Sequence, residues 1–376
     1  MAPIRVGIIG LASKDSPQFA NGEWGVKHFK ALQHLPAYEV VAVCNSTLES
    51  STRSIAFHKL DPSVVRAYGS PKDLAADPNV DLVVVTVSAK YHLDLAKPAI
   101  EGGKDVYVEF PLAPSVAEAE ELYELAKKKG VKTIAGTQAV SEPVMVKLRE
   151  LIPEIGEVVN TVMVGASPLD VSMGWPEDAA GLLELNHEVS RIVIVLGHLL
   201  GGFSSVVGEF EDLQAVYKTQ VKTTTLLDAT YQPAKPNHPI TSPDNMIIQG
   251  VLKSGAIASI NIRTTTTLVD NTGFRWIISG TQGEIELVTN PGFFQTGLDG
   301  ATIKLKKKGE EEAKVIDWQS AEPANVSAIQ GMEKSIVRAY AAFAEGRTQD
   351  YATFESALAI HRALEKATKN ALWARK

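Results

Sequence analysis

The sequence predicts an α/β protein of two parts, a doubly wound parallel sheet over residues 1–138 and an α+β domain over 139–376 with a large open, mostly antiparallel sheet. Three observations carry this. Strand-like and helix-like stretches alternate as far as about Gln138. The first apolar run ends on a glycine. Beyond Gln138, strands follow one another through glycine-containing turns such as Lys253-Ser254-Gly255-Ala256. A chain of 376 residues with 45% hydrophobic residues also exceeds what a single core usually organises.

Each element has its own signal. Ile4-Arg5-Val6-Gly7-Ile8-Ile9-Gly10 reads as a buried parallel strand entering a tight turn. A helix follows from about Gly25 to Leu35, then a strand from Tyr38 to Cys44, an amphipathic stretch from Ser51 to Leu60 and a β-branched strand from Val80 to Val87. A helix over His92–Glu101, a strand over Asp105–Glu109, a helix opening at Ser115 and a strand over Thr133–Gly136 complete the alternation. In the second half, strands are expected over Val158–Val164, Ser204–Phe210, Gln214–Tyr217, Met246–Leu252, Ile257–Arg263, Phe274–Gly280 and Gly283–Val288. Helices are expected near Glu184–Leu200, Ser327–Ala344 and Phe354–Trp373, the last free to pack back on the first domain.

Composition narrows the function classes. A net charge of −7 argues against nucleic-acid binding, which needs clustered Lys and Arg. The Lys306-Lys307-Lys308 run is followed by Glu310-Glu311-Glu312 and reads as a solvated hairpin. The single cysteine, Cys44, forms no internal disulfide, so the expected location is cytoplasmic. No apolar run approaches the ~20 residues of a spanning helix, and the N-terminus lacks a signal-peptide pattern, so no membrane partner is expected. No His/Cys/Asp cluster has metal-ligand spacing.

A glycine turn after the first strand of such a fold lets backbone N–H groups and a helix N-terminus approach a pyrophosphate. The Gly-x-Gly-x-x-Gly fingerprint is imperfect here. Gly10 is present, Leu11 follows it, Ala12 replaces the second glycine, and Ser13–Asn21 lengthen the loop before Gly22 and Gly25. At the end of the second strand, where a carboxylate usually binds the ribose of NAD, stand Asn45-Ser46-Thr47, with Arg53 nearby. The cofactor expected is therefore NADP or NAD, with Ser46 alternatively a helix cap. Trp24, Val87, Ser88, His92, Glu109 and Gln138 complete the candidate cofactor residues.

Two segments, Val84-Val85-Thr86-Val87-Ser88-Ala89-Lys90-Tyr91-His92 and Gly102 through Ala113, make the chain similar to the Gfo/Idh/MocA family of Rossmann-fold oxidoreductases along nearly its whole length. The resemblance implies a Glu-Lys-Pro tripeptide after the fifth strand, whose lysine meets the substrate, and an Asp-x-x-x-His pair on a second-domain helix. This chain has Phe110 at the lysine position. If His198 ends the second motif, Ile194 occupies its aspartate position. Pro243 through Gly250 and Ser356 through Leu364 further resemble the branch that holds the fungal galactose-regulon repressor. The resemblance also implies a homodimer or larger assembly through the open sheet.

Phe110 cannot move a proton. On a helix after Glu184, the residues His187, Arg191, Ile194 and His198 would share one face. There His187 or His198 is a candidate acid/base, and Arg191 a candidate for a substrate carboxylate. Lys90 and Tyr91 at the end of the fourth strand are alternatives for the missing lysine. Phe110 and Trp175 are expected to line the substrate site. Three readings follow: an NAD(P)-dependent oxidoreductase acting on a small oxygenated or cyclic metabolite, a dinucleotide-binding regulator with a protein partner, and a non-redox enzyme on the same scaffold.

Overall fold

The computed structural model describes residues 2–13, 23–167, 171–172, 174–265, 267–292, 294–295, 298–319, 326, 329 and 331–374. Two compact units divide the chain, one of Met1–Gln138 with Pro323–His361 and the other of Ala139–Glu322 with Arg362–Lys376.

The first unit is built on six parallel strands: β1 (Ile4–Ile9), β2 (Tyr38–Cys44), β3 (Arg66–Tyr68), β4 (Leu82–Val85), β5 (Asp105–Val108) and β6 (Thr133–Ala135). Their order is β3-β2-β1-β4-β5-β6, so the direction of winding reverses between β1 and β4, where such sheets bind ligands. All four residues of β4 are fully buried, because crossover helices cover both faces of a parallel sheet. These helices are α1 (Glu23–Gln33), α2 (Leu48–Phe57), α3 (Pro71–Ala76), α4 (His92–Glu101) and α5 (Val116–Lys129). Ser115 caps α5, and Gly130 ends it at φ 69°. The cap of α2 is Thr47, not Ser46: Thr47 and Ser50 form a reciprocal capping box.

The second unit holds α6 (Pro143–Leu151), β7 (Val158–Ser167), β8 (Trp175–Pro176) and α7 (Gly197–Val207). The strands β9 (Phe210–Lys218), β10 (Thr223–Leu227), β11 (Pro233–Pro239), β12 (Asn245–Leu252), β13 (Ile257–Thr264), β14 (Phe274–Gly280), β15 (Gly283–Val288), β16 (Thr302–Lys307) and β17 (Lys314–Ile316) follow. Nine strands form one sheet in the order β17-β16-β15-β14-β7-β13-β12-β9-β18, where β18 is Leu372–Trp373. Its pairings are antiparallel except β7 with β13 and β9 with β18. Alternation sets its faces: Met163 and Trp276 are fully buried while their neighbours Val162 and Val164 are exposed. Phe203 of α7 stacks on Trp276 with ring centroids 5.2 Å apart. A small sheet, β11-β10-β8, stands beside a second apolar cluster of Val171, Trp175, Leu183, Leu226 and Ile240.

Two expectations for this unit change. The helix expected from Glu184 begins at Arg191, runs through a π-helical stretch over Ile192–Leu196 and continues as α7. The strand expected at Ser204 is the last turn of α7; Gly208, at φ 91°, stops the helix, and β9 starts at Phe210. The C-terminal segment supplies α8 (Met332–Ala344) and α9 (Phe354–Lys369). In the first unit α8 buries Ile336, Val337, Tyr340 and Phe343 in the core formed by β1, β4 and α1. The last expected helix ends at Lys369, and the chain turns into β18. Among the described residues no helix is long and apolar enough to cross a membrane.

Candidate functional site

The nucleotide turn is assembled from three strand ends. Gly10 adopts φ 101°, which favours glycine, and a Cβ there would stand 2.6 Å from Val87 Cγ1. The Gly10 N–H donates to Cys44 O at 3.0 Å, and Thr86 Oγ1 donates to Ile9 O at 3.0 Å. Gly25 lies in the first turn of α1, and a Cβ on it would fall 2.2 Å from Gly10 O. That is the work of the fingerprint's last glycine, close packing of helix on strand, done by a residue beyond the inserted loop. The inserted loop takes Gly25 out of the fingerprint's spacing, so its role is not visible in the sequence.

The carbonyls of this turn are held inward. Leu11 O accepts from Asn45 Nδ2 at 2.9 Å and Ser54 Oγ at 2.7 Å, and Ala12 O accepts from His58 Nε2 at 2.8 Å. With the carbonyls occupied, the turn suits an anion on its N–H side, so these residues fit the pyrophosphate of a dinucleotide. Ser54 and His58 were missed; their signal is only their place, four residues apart, on the last turns and C-terminal cap of α2. Ser13 is exposed; from residue 14 the inserted loop lies outside the described residues. Trp24, half-buried, has Lys27 Nζ 4.6 Å from its ring. Ser46 is exposed, and Arg53 pairs with Glu49 at 2.6 Å.

At the ends of β4 and β5 the structure gathers Val87, His92, Glu109, Phe110 and Gln138. The His92 ring nitrogens sit 2.9 Å from Val87 O and 2.9 Å from Pro111 O, joining the two strand ends, and burial pushes its pKa down. Leu112 N–H donates to His361 Nε2 at 3.1 Å, and burial, helped by His92, lowers the His361 pKa to about 4. Phe110, 6% exposed, lies against the His361 ring at 5.4 Å. The stretch Ser356–Leu364 thus serves the loop after β5 through His361. Glu109 accepts from Gln138 Nε2 at 3.1 and 3.2 Å. Ser88 is half-buried; Lys90 and Tyr91 lie in an exposed turn, with Nζ 4.8 Å from the phenol ring.

In the second unit Arg191 is 2% exposed, with its guanidinium carbon 6.0 Å from the ring centre of Trp175, whose Nε1 donates to Ala179 O at 2.8 Å. His198 is buried on α7. His187 is not on that helix: it lies in the turn before it, accepts from Val189 N–H at 3.3 Å and stands 3.3 Å from Glu188 Oε2. Its ring occupies the space a Cβ on Gly181 would fill, 2.7 Å away. The stretch from Pro243 has a structural task, since buried Asp244 accepts from the N–H groups of Gln220 and Val221 at 2.8 Å each.

Residues 4–137 match the oxidoreductase family with the NAD-binding Rossmann fold, and residues 143–289 match the C-terminal domain of Gal80p. The dehydrogenase aclE of Aspergillus oryzae is 30% identical, over 76% of this chain and 76% of its own length. The galactose/lactose metabolism regulatory protein GAL80 of Kluyveromyces lactis is 29% identical over 78% of this chain, and the chain spans 65% of that protein's length. In fold, the chain is similar to the super-repressor mutant of Gal80p from Saccharomyces cerevisiae (TM-score 0.81, 22% identity, 98% of this chain and 96% of that one). It is similar also to an NAD binding oxidoreductase from Klebsiella pneumoniae (TM-score 0.77, 20% identity, 98% and 97%).

Proposed function

Since the chain belongs to the Gfo/Idh/MocA oxidoreductase family, with a second half of the Gal80p type, we propose that it binds NADP or NAD on the Gly10 turn and oxidises or reduces a small oxygenated or cyclic metabolite. The observation that carries this reading is the close packing of Gly25 on Gly10, the arrangement by which this fold brings a helix N-terminus up to a pyrophosphate. Leu11, Ala12, Ser13 and Trp24 border the phosphates. Asn45 supports the turn, and Ser46 and Arg53 face the ribose that distinguishes the two cofactors. Val87, Ser88, His92, Glu109 and Gln138 shape the nicotinamide half.

When bound, the nicotinamide would supply hydride exchange; the protein takes up or gives the hydroxyl proton and grips the substrate. We assign the proton to His187, with His198, Lys90 and Tyr91 as alternative donors, and the grip to Arg191 over Trp175, with Phe110 as an apolar wall. A cytoplasmic, homodimeric protein fits this reading, its copies paired through the outward sheet face of Val162, Val164 and Ile277. The test is absorbance of the reduced cofactor with a panel of sugars, polyols and cyclic ketones. Turnover is expected, and His187→Ala is expected to cut it at least about a hundredfold, the usual contribution of a positioned acid/base; full turnover by that variant contradicts the assignment.

One observation favours a second reading. Phe110 is buried against His361 where the family carries its lysine, which suits a regulator that holds the dinucleotide as a ligand and presents a surface to a protein. Tight binding without turnover on the whole panel would select it.

A further inference from the structure

A row of buried polar side chains runs from the end of β5 into α8. Glu109, 5% exposed, accepts from His28 Nε2 at 2.8 Å through Oε1, and Gln138 Nε2 donates to both of its oxygens. The other ring nitrogen of His28, a fully buried residue, lies 2.7 Å from the hydroxyl of Tyr340, also fully buried. Gly136 makes room for the carboxylate, since a Cβ there would lie 2.4 Å from Glu109 Oε2.

The phenol assigns the protons. Burial holds the Tyr340 hydroxyl well above its ordinary pKa, so it stays a neutral O–H, and His28 Nδ1 is the acceptor within reach. Nδ1 then carries no proton and Nε2–H donates to Glu109. The N–H donors aimed at Glu109 suit its ionised, negatively charged form. His92 feels that charge but is driven toward its neutral form by burial. The charge therefore stands at the end of β5, in the β4-β5-β6 half of the sheet, the half that a doubly wound fold gives to the second mononucleotide.

We propose that Glu109 biases the redox state of the dinucleotide this chain holds, favouring the cationic nicotinamide ring of the oxidised form over the neutral ring of the reduced form. His28 and Tyr340 are positioning residues that fix this charge. A fixed charge in a poorly polarisable site acts strongly on a ring whose own charge differs between the two states. The inference rests on the dinucleotide reading above.

The experiment is calorimetric titration of the full chain with NAD⁺, NADH, NADP⁺ and NADPH, for the wild type, Glu109→Gln and Tyr340→Phe, with thermal unfolding as the check on folding. Glu109→Gln is expected to shift the ratio of oxidised to reduced affinity about tenfold against the oxidised form, as loss of one partly screened unit charge implies. Tyr340→Phe, which removes the hydroxyl that orients the imidazole against the carboxylate, is expected to shift it the same way by a smaller factor. It carries the test alone if the Glu109 variant does not fold. Equal weakening of both redox forms, or an unchanged ratio, overturns the proposal. Binding of none of the four by the folded wild type instead overturns the dinucleotide reading beneath it.

Discussion

A Cβ at position 25 would stand 2.2 Å from Gly10 O, closer than any two such atoms approach, and that oxygen belongs to backbone held by β1 and β2. Gly25→Ala is therefore expected to destabilise the first unit by about 2 kcal/mol or more, the range of a buried backbone clash. It is also expected to weaken dinucleotide binding at least about tenfold; urea unfolding and calorimetry measure the two. Cys44 illustrates the opposite case. Buried at the end of β2, its thiol is pushed up to about 12, so at neutral pH it is expected to react with a maleimide only as fast as the protein unfolds. Labelling of the folded protein within seconds would contradict its burial. At this scale Gly10 and Glu109 were candidates from sequence, because turn glycines and strand-end carboxylates have local signatures. His28, His58 and His361 had none, since each acts on a backbone or side-chain group more than 40 positions away.

Between residues and fold, the loop after β5 is held by two buried histidines, of which His361 does so only while its Nε2 is unprotonated. His361 accepts the Leu112 N–H, and its pKa falls from 6.5 to about 4 on burial. The unfolded chain therefore binds the proton more readily than the folded one between those values, so stability rises with pH there. Unfolding free energy is expected to be level above about pH 6.5 and to drop by roughly 3 kcal/mol on the way to pH 4 from this group, with His92 adding in the same direction. His361→Gln should flatten that part of the profile, and an unchanged slope would show that other groups set it. Regular elements such as α4, β14 and β15 were legible to the residue, because period and punctuation agree there. The Glu184–Val207 region was not. Its apolar run fits a helix at several registers; the helix starts only at Arg191, which leaves His187 in the preceding turn, and a π-helical stretch, a feature frequent at functional sites, alters the spacing between Arg191 and His198.

For the molecule as a whole, the alternation of strand and helix followed by strand upon strand was enough to name both sheets. The small β11-β10-β8 sheet escaped because β8 spans two residues and β11 carries three prolines. The proposed homodimer belongs to this scale. Val162 and Val164 are 37% and 42% exposed on the outer face of the nine-stranded sheet, where carboxylates would be desolvated on pairing. Val162→Glu with Val164→Glu is expected to turn a dimer into a folded monomer in sedimentation; a wild type that sediments as a monomer would contradict the pairing. The central claim is that the first unit holds a nicotinamide dinucleotide on the Gly10 turn. Calorimetry with NADP(H) and NAD(H) tests it most directly: saturable binding of at least one of them at one site per chain, lost or weakened at least about tenfold in Gly25→Ala, is the result predicted, and a folded wild type that binds none of them is the result that would contradict it.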